Sequence, residues 1–381
     1  MFTILRKIIL PLALVYAALW GLTVFINYPN PVAAVRLGLA TPSDTGKLMP
    51  AAEISALRPT AWEKGVQLAE MEVTFEGEKI GLYDFLEATQ TNAFLIIKND
   101  QVISEIYSNG FDEESQLPSY SVAKSVVAIL AGQLIAEGQM SESDTFVGWL
   151  PQFVNNTAYD KITIAQLLDM SSGVAVADNY PDGPAGWGNP IAQMYATTDL
   201  SNFIMNHRDL YWAPGSNHEY RSVDTQMLGM ILEVVTGKNI AELVTERLWT
   251  PLGMEYPATW NLDRKDGAAK GFCCLNATAR DFAKLGKALN DSIQAESFST
   301  ITPDWAARMS NSVTTLDHGW GYGAFTWHPN PGANLYLGLH GQFVYTDAAA
   351  DVVIVKLSDS PTDDAEAEIG KVFAELVRYL D

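Results

Sequence analysis

Cysteine is almost missing from this 381-residue chain: there are two, Cys273 and Cys274, and they are neighbours. That excludes a disulfide framework and a cysteine-rich metal site. The adjacent pair is expected as two buried, unbonded small side chains. Histidine is also scarce, and His207, His218, His318, His328 and His340 fall in no His-Glu-x-x-His pattern. No metal or cofactor is therefore expected. Basic residues are few, 24 against 45 acidic ones, for a net charge of −21, with no basic block after residue 7. Phosphate backbones are bound by clusters of Lys and Arg, so a nucleic-acid partner is excluded. The acidity serves solubility.

What the chain has in quantity is apolar material, 48% of its residues, ample for one large or two modest domains. One apolar stretch stands apart. Arg6 and Lys7 precede an uncharged run from Ile8 to Ile26, closed by Asn27-Tyr28-Pro29-Asn30-Pro31. At ~1.5 Å per residue this run nearly matches the ~30 Å hydrocarbon core of a bilayer. It is also longer than a secretory h-region of about 7–15 residues. The reading is an uncleaved signal anchor over residues 1–27, its basic flank in the cytoplasm and the rest outside. The alternative is a signal peptide cleaved near Val15-Tyr16-Ala17, with the protein secreted. Residues 28–85, with Pro, Ala, Ser and Thr and little periodicity before residue 60, read as a tether and lead-in. Residues 86–381 read as the main folded domain.

Within that domain Ala93–Lys98 and Gln101–Tyr107 are strand-like and joined by Asn99-Asp100, a hairpin signature. A buried helix follows from Ser121 to about Glu137. Thr163 caps a short helix ending at Leu168. Residues 178–190 form a long Gly/Pro/Asn/Asp loop of the kind that lines sites. Helices are expected at 223–235, 240–248 and 277–289, the last capped by Asn276. Strands are expected at 321–327, 335–339, 342–346 and 351–357, and a terminal helix at 363–380. Helices and strands segregate, so the fold class is α+β with a mainly antiparallel sheet, which the early hairpin completes.

The candidate chemistry lies in Ser121-Val122-Ala123-Lys124, the only Ser-x-x-Lys in the chain. Three residues apart on a helix, the two side chains share a face. An amine beside a hydroxyl supplies the base that a serine nucleophile needs. Taken alone, the pattern equally fits a Ser at a helix start followed by a surface Lys.

Further residues carry a resemblance. Ile162 to Gly173 reads Ile-Thr-Ile-Ala-Gln-Leu-Leu-Asp-Met-Ser-Ser-Gly. Tyr220-Arg221-Ser222 follows Pro214-Gly215 and precedes Leu228-Gly229 and Pro251-Leu252-Gly253-Met254. Together with Ser121-Val-Ala-Lys124, these segments resemble the class C β-lactamase-like serine hydrolases over residues 90–380. Within that group the chain looks most similar to 6-aminohexanoate-dimer hydrolase-like and esterase members. Tyr-x-Ser replaces Tyr-x-Asn, and Gly338-Leu339-His340-Gly341-Gln342 stands where β-lactamases carry Lys-Thr-Gly. The resemblance implies a β-lactamase/transpeptidase-like fold, an antiparallel sheet flanked by helices with an all-helical subdomain. It also implies a small ester or amide substrate and a bacterial envelope location: inner membrane, single pass, catalytic domain periplasmic or extracytoplasmic. A D-Ala-specific peptidase, a β-lactamase or a catalytically silent binding module are the alternatives.

The roles expected are Ser121 as nucleophile, Lys124 as base and Tyr220 as proton relay. The Ser121 and Leu339 backbone N–H groups would be oxyanion donors. Gly338 would allow close approach. Tyr180 is a substrate-contact candidate through the resemblance. Ser222 either hydrogen-bonds near Lys124 or caps the following helix, and capping is favoured. His340 is expected to be structural. Trp187, Trp212, Trp320 and Trp327 are candidates for an apolar cleft wall.

Overall fold

The computed structural model describes residues 2–179, 188–294, 300–360 and 365–380, with side chains from Ile9 onward. Its main sheet grows from the hairpin Thr91–Lys98 and Gln101–Tyr107. Asn99 and Asp100 turn it at φ 48° and 62°, the positive values that a two-residue hairpin loop needs and that these short polar residues tolerate. The last strand, Val352–Ser358, pairs antiparallel with this hairpin, Val352 opposite Lys98 and Val355 opposite Leu95. Thus the two ends of the catalytic domain close one sheet. Beyond it lie Gln342–Asp347, Ala333–Gly338, Thr326–His328, Gly321–Gly323 and Thr314–Thr315, in that order. At the other edge Glu63–Lys64 adds a short parallel strand beside Gln101–Val102.

The central strands are buried on both faces because a helix covers each. On one face Gly286, in the helix Ala279–Ile293, lies against Val344, Thr346 and Val353. On the other, Phe373 of the helix Glu366–Leu380 packs edge-on against Phe343 and Tyr345. Odd and even positions of one strand thus serve two cores, as the period of two requires. A second, four-stranded sheet runs Ala51–Ile54, Ala258–Asn261, Leu275–Ala277 and Leu117–Pro118. The last of these leads straight into residue 121. The expected α+β arrangement is there: a mainly antiparallel sheet and a smaller one, flanked by helices.

Several expectations change. The segment 321–327 is not one strand: Ala324 and Phe325 turn it at φ 45° and 55°. Neither residue is a usual turn former, so the alternation in sequence runs unbroken through the turn. The helix Ala279–Ile293 is capped by Thr278, whose hydroxyl accepts the Asp281 N–H. Asn276 instead ends in a strand and donates to Asn261 Oδ1 at 3.0 Å. Cys273 and Cys274 are buried but bonded to each other; Cys274 takes φ 82°.

The segment 28–85 is woven into the fold rather than loose. Ala51–Ile54 pairs with Ala258–Asn261, and Ser43 donates through N and Oγ to Asp359 at 2.8 Å each. These contacts span more than two hundred residues, and local periodicity does not announce them. The N-terminal helix runs Phe2–Phe25 with Pro11 inside. Among the described residues, no helix is long and apolar enough to cross a membrane.

Candidate active site

The chain enters the site through Tyr120, a buried residue at φ 44°. A non-glycine residue in that region costs about 1–3 kcal/mol and persists only where its surroundings hold it. Here the Tyr120 hydroxyl lies 3.1 Å from Thr45 Oγ1 and 3.1 Å from the Pro42 carbonyl, and its ring meets His340 edge-on. Ser121 then occupies the N-cap position of the helix Val122–Ala136, yet makes no side-chain cap bond. Its hydroxyl is engaged elsewhere, 2.7 Å from Lys124 Nζ.

Lys124 is not a surface residue: only 1% of it is exposed. Its Nζ also donates to the Phe272 carbonyl at 2.9 Å. Desolvation pulls its pKa down to about 7, with Asp178 pulling the other way. A substantial fraction of the amine is therefore neutral at neutral pH, with a lone pair able to take the Ser121 proton.

Tyr220 precedes the helix Ser222–Thr236 and forms part of an aromatic wall. It stacks on Trp327 at 5.6 Å between ring centres and meets Tyr322 edge-on. Lys124 Nζ lies 5.0 Å from its ring centre. Desolvation, then the charge of Asp178, push the phenol well above its ordinary range, against a hydrogen bond with Ser121. Tyr220 thus keeps its proton at neutral pH, suited to passing one on and unsuited to standing as an anion.

Gly338 ends the strand Ala333–Gly338 where that strand crosses the nucleophile loop. A Cβ there would overlap the Ser119 carbonyl oxygen and sit 3.0 Å from the Ser121 backbone nitrogen. Only glycine lets the two backbones touch. Ser121, Tyr220, Trp327, Gly338 and Leu339 line one cavity of about 420 Å³. A carbonyl entering it meets the Ser121 N–H at a helix start and the strand end at Leu339. Gly338→Ala is expected to push the strand off the loop and lower kcat/KM for ester hydrolysis by on the order of 10²-fold. The cost in stability is about 1–3 kcal/mol. Wild-type kinetics in that variant would contradict the close-approach role.

The remaining candidates divide. Ser222 is the first residue of its helix, not its cap; Arg221 holds the cap position, and Ser222 donates through N (2.7 Å) and Oγ to Asp178. His340 Nδ1 lies 3.0 Å from the Ser360 carbonyl, in the turn after Gly338. Trp212 stacks under Arg221 at 4.6 Å and Trp320 packs on Trp327. Tyr180 and Trp187 lie outside the described residues. Sequence reasoning missed Asp178, which lies in the cavity with Asp317 and Glu366. Its one signal was a position at the start of the Gly/Pro-rich loop. It also missed the Phe272 carbonyl, which no side-chain pattern marks.

The beta-lactamase family profile matches residues 85–378. The chain is 28% identical over 349 residues to the 6-aminohexanoate-dimer hydrolase of Paenarthrobacter ureafaciens, covering 84% of each protein. It is 31% identical over 131 residues to an Escherichia coli K12 protein assigned provisionally as a D-alanyl-D-alanine carboxypeptidase, 32% of this chain and 29% of that one. A solved structure from Bacillus anthracis, assigned provisionally as a 6-aminohexanoate-dimer hydrolase, superposes with a TM-score of 0.79 at 24% identity. It covers 89% of this chain and 93% of that one.

Proposed function

The chain belongs to the beta-lactamase family of serine hydrolases, and from that premise we propose that it cleaves small esters or amides through an acyl-enzyme on Ser121. The observation that carries this reading is the buried Lys124 amine 2.7 Å from Ser121 Oγ, with its pKa lowered to about 7. Neutral Lys124 takes the hydroxyl proton as Ser121 Oγ bonds the acyl carbon. Backbone N–H groups at Ser121 and Leu339 hold the oxyanion. Tyr220 passes a proton to the departing alcohol or amine. Water, activated by the same pair, then releases the acid.

Three carboxylates line the cavity, Asp178, Asp317 and Glu366, the last of them set against His318 Nε2 at 2.9 Å, and they disfavour substrates whose own carboxylate must bind there. Gly338-Leu339-His340 adds no Lys or Arg to offset them. This weighs against a β-lactam or a D-Ala-terminated peptide and for an ester or amide that carries no carboxylate into this cavity. The test is a panel of p-nitrophenyl esters, aminohexanoate dimer, D-Ala-D-Ala peptide and nitrocefin. Hydrolysis of an uncharged ester should exceed that of nitrocefin and the peptide. The opposite order would contradict the reading.

The acid limb of the rate profile follows from the same geometry. Rates should fall as pH drops through about 7, where Lys124 gains its proton. Asp178 favours that proton, so Asp178→Asn is expected to move the limb to lower pH. A limb unmoved, or moved upward, would deny Lys124 the base role.

We propose the uncharged run Ile8–Ile26, which extends at both ends beyond the part of the helix whose side chains are described, as a membrane anchor that holds the catalytic domain outside the cytoplasm. Arg6 and Lys7 ahead of an uncharged run support this orientation. So does the exposure of Leu12, Leu14, Val15, Leu22 and Val24, apolar side chains with no protein core to enter.

A further inference from the structure

Ser121 and Leu339 line a second cavity as well as the first. The nucleophile therefore stands on a ridge between two lobes of different chemistry. The first holds Asp178, Asp317, Glu366 and the Tyr220 ring. The second, about 320 Å³, is walled mainly by carbon, from Leu37, Pro42, Ile191, Ala192 and Phe272 among others. Among the described residues its lining has no carboxylate, Lys or Arg, and its polar side chains are Thr45, Ser222 and His340 beside Ser121 and two tyrosines.

Which part of a substrate goes where follows from the proton. Tyr220 borders the first lobe and not the second. The leaving alcohol or amine must be near the group that protonates it, so it occupies the first lobe. The acyl chain is left to the second. An aliphatic chain gains by entering carbon walls, whereas an ammonium-tipped chain would be stripped of water there without a charged partner.

The outer wall of this lobe is preformed. Residues 37–45 contribute Leu37, Ala40, Pro42 and Thr45. They are pinned by the Ser43–Asp359 hydrogen bonds and by the Tyr120 hydroxyl against Thr45 and Pro42. The segment that joins the N-terminal helix to the domain is thus part of the site. At roughly 30 Å³ per water-sized group, 320 Å³ takes on the order of ten heavy atoms, far more than an acetyl group needs.

We propose that this second lobe is an acyl-chain subsite for uncharged aliphatic acyl groups of medium length, with residues 37–45 as a substrate-binding wall. The inference rests on the acyl-enzyme reading above. In the step it serves, the bond from Ser121 Oγ to the acyl carbon forms and the bond to the leaving oxygen or nitrogen breaks. The proton that Lys124 took leaves with the alcohol or amine. Water then yields the carboxylic acid and restores the Ser121 hydroxyl.

The test uses the purified full chain with p-nitrophenyl acetate, butyrate, hexanoate and octanoate, and with the 6-aminohexanoyl ester beside the hexanoyl one. Each added methylene should raise kcat/KM about fourfold until the lobe is full. The hexanoyl ester should be preferred over its ammonium-bearing analogue. Ala40→Trp and Ala192→Trp fill the lobe from two separate elements. Each should cut the hexanoate-to-acetate ratio by at least about tenfold, the equivalent of just under two methylenes, while Ser121 still labels with a small fluorophosphonate. A wild-type protein that labels at Ser121 but shows a flat or falling chain-length series overturns the subsite alone. So does an unchanged ratio in both tryptophan variants. A wild-type protein that neither labels nor hydrolyses any ester overturns the acyl-enzyme reading beneath it.

Discussion

Ser121→Ala is expected to lower ester or amide turnover by on the order of 10⁴-fold or more. The reason is geometric. Within the cavity formed by Gly338, Leu339, Tyr220 and Trp327, the Ser121 hydroxyl is the one that faces the buried amine, at 2.7 Å. Ser119 is buried too, but its hydroxyl donates to the Tyr120 carbonyl and accepts the Leu275 N–H, so it is spent on holding the loop. Because Ser121 makes no cap bond, removing its oxygen costs the helix little. The variant should fold and melt close to wild type. Retention of more than about a hundredth of wild-type turnover in a folded Ser121→Ala protein would sink the nucleophile assignment.

Lys124→Met is the second large effect, on the order of 10³-fold in kcat, the worth of a general base. Methionine keeps much of the stem volume, so the loss reports chemistry rather than collapse. Stability should move the other way. Lys124 has a folded pKa of about 7 against an ordinary 10.5. The native state therefore disfavours the protonated form, and the penalty is absent above the unfolded value and complete once pH falls below the folded one. Replacing Lys124 by methionine removes that penalty, so its melting temperature, relative to wild type, should rise as pH falls from about 10 to about 6. Full turnover in Lys124→Met would end the base role. A relative melting temperature that falls with acid would mean the lysine is charged and paired in the native state.

How much of this was legible in sequence depended on range. The Asn99-Asp100 hairpin and the Thr163 cap are settled by neighbours within a few residues, and both stand as expected. Ser121 and Lys124 are one helical turn apart, so their contact follows from the helix alone. What periodicity missed involves distant partners. Asp178 reaches Ser222 across 44 residues, and the wall at residues 37–45 meets Tyr120 across 75. Neither segment has a pattern that names its partner. The turn at Ala324 and Phe325 was hidden for another reason: its residues have no local turn preference and are held there by the sheet on either side.

Intact-mass analysis of the full chain after treatment with a fluorophosphonate, followed by peptide mapping, tests the central claim most directly. A single phosphonyl adduct on Ser121 in wild type, absent from Ser121→Ala, is the expected result. An adduct that persists in Ser121→Ala, or a wild-type protein that takes none and hydrolyses no ester, would contradict it.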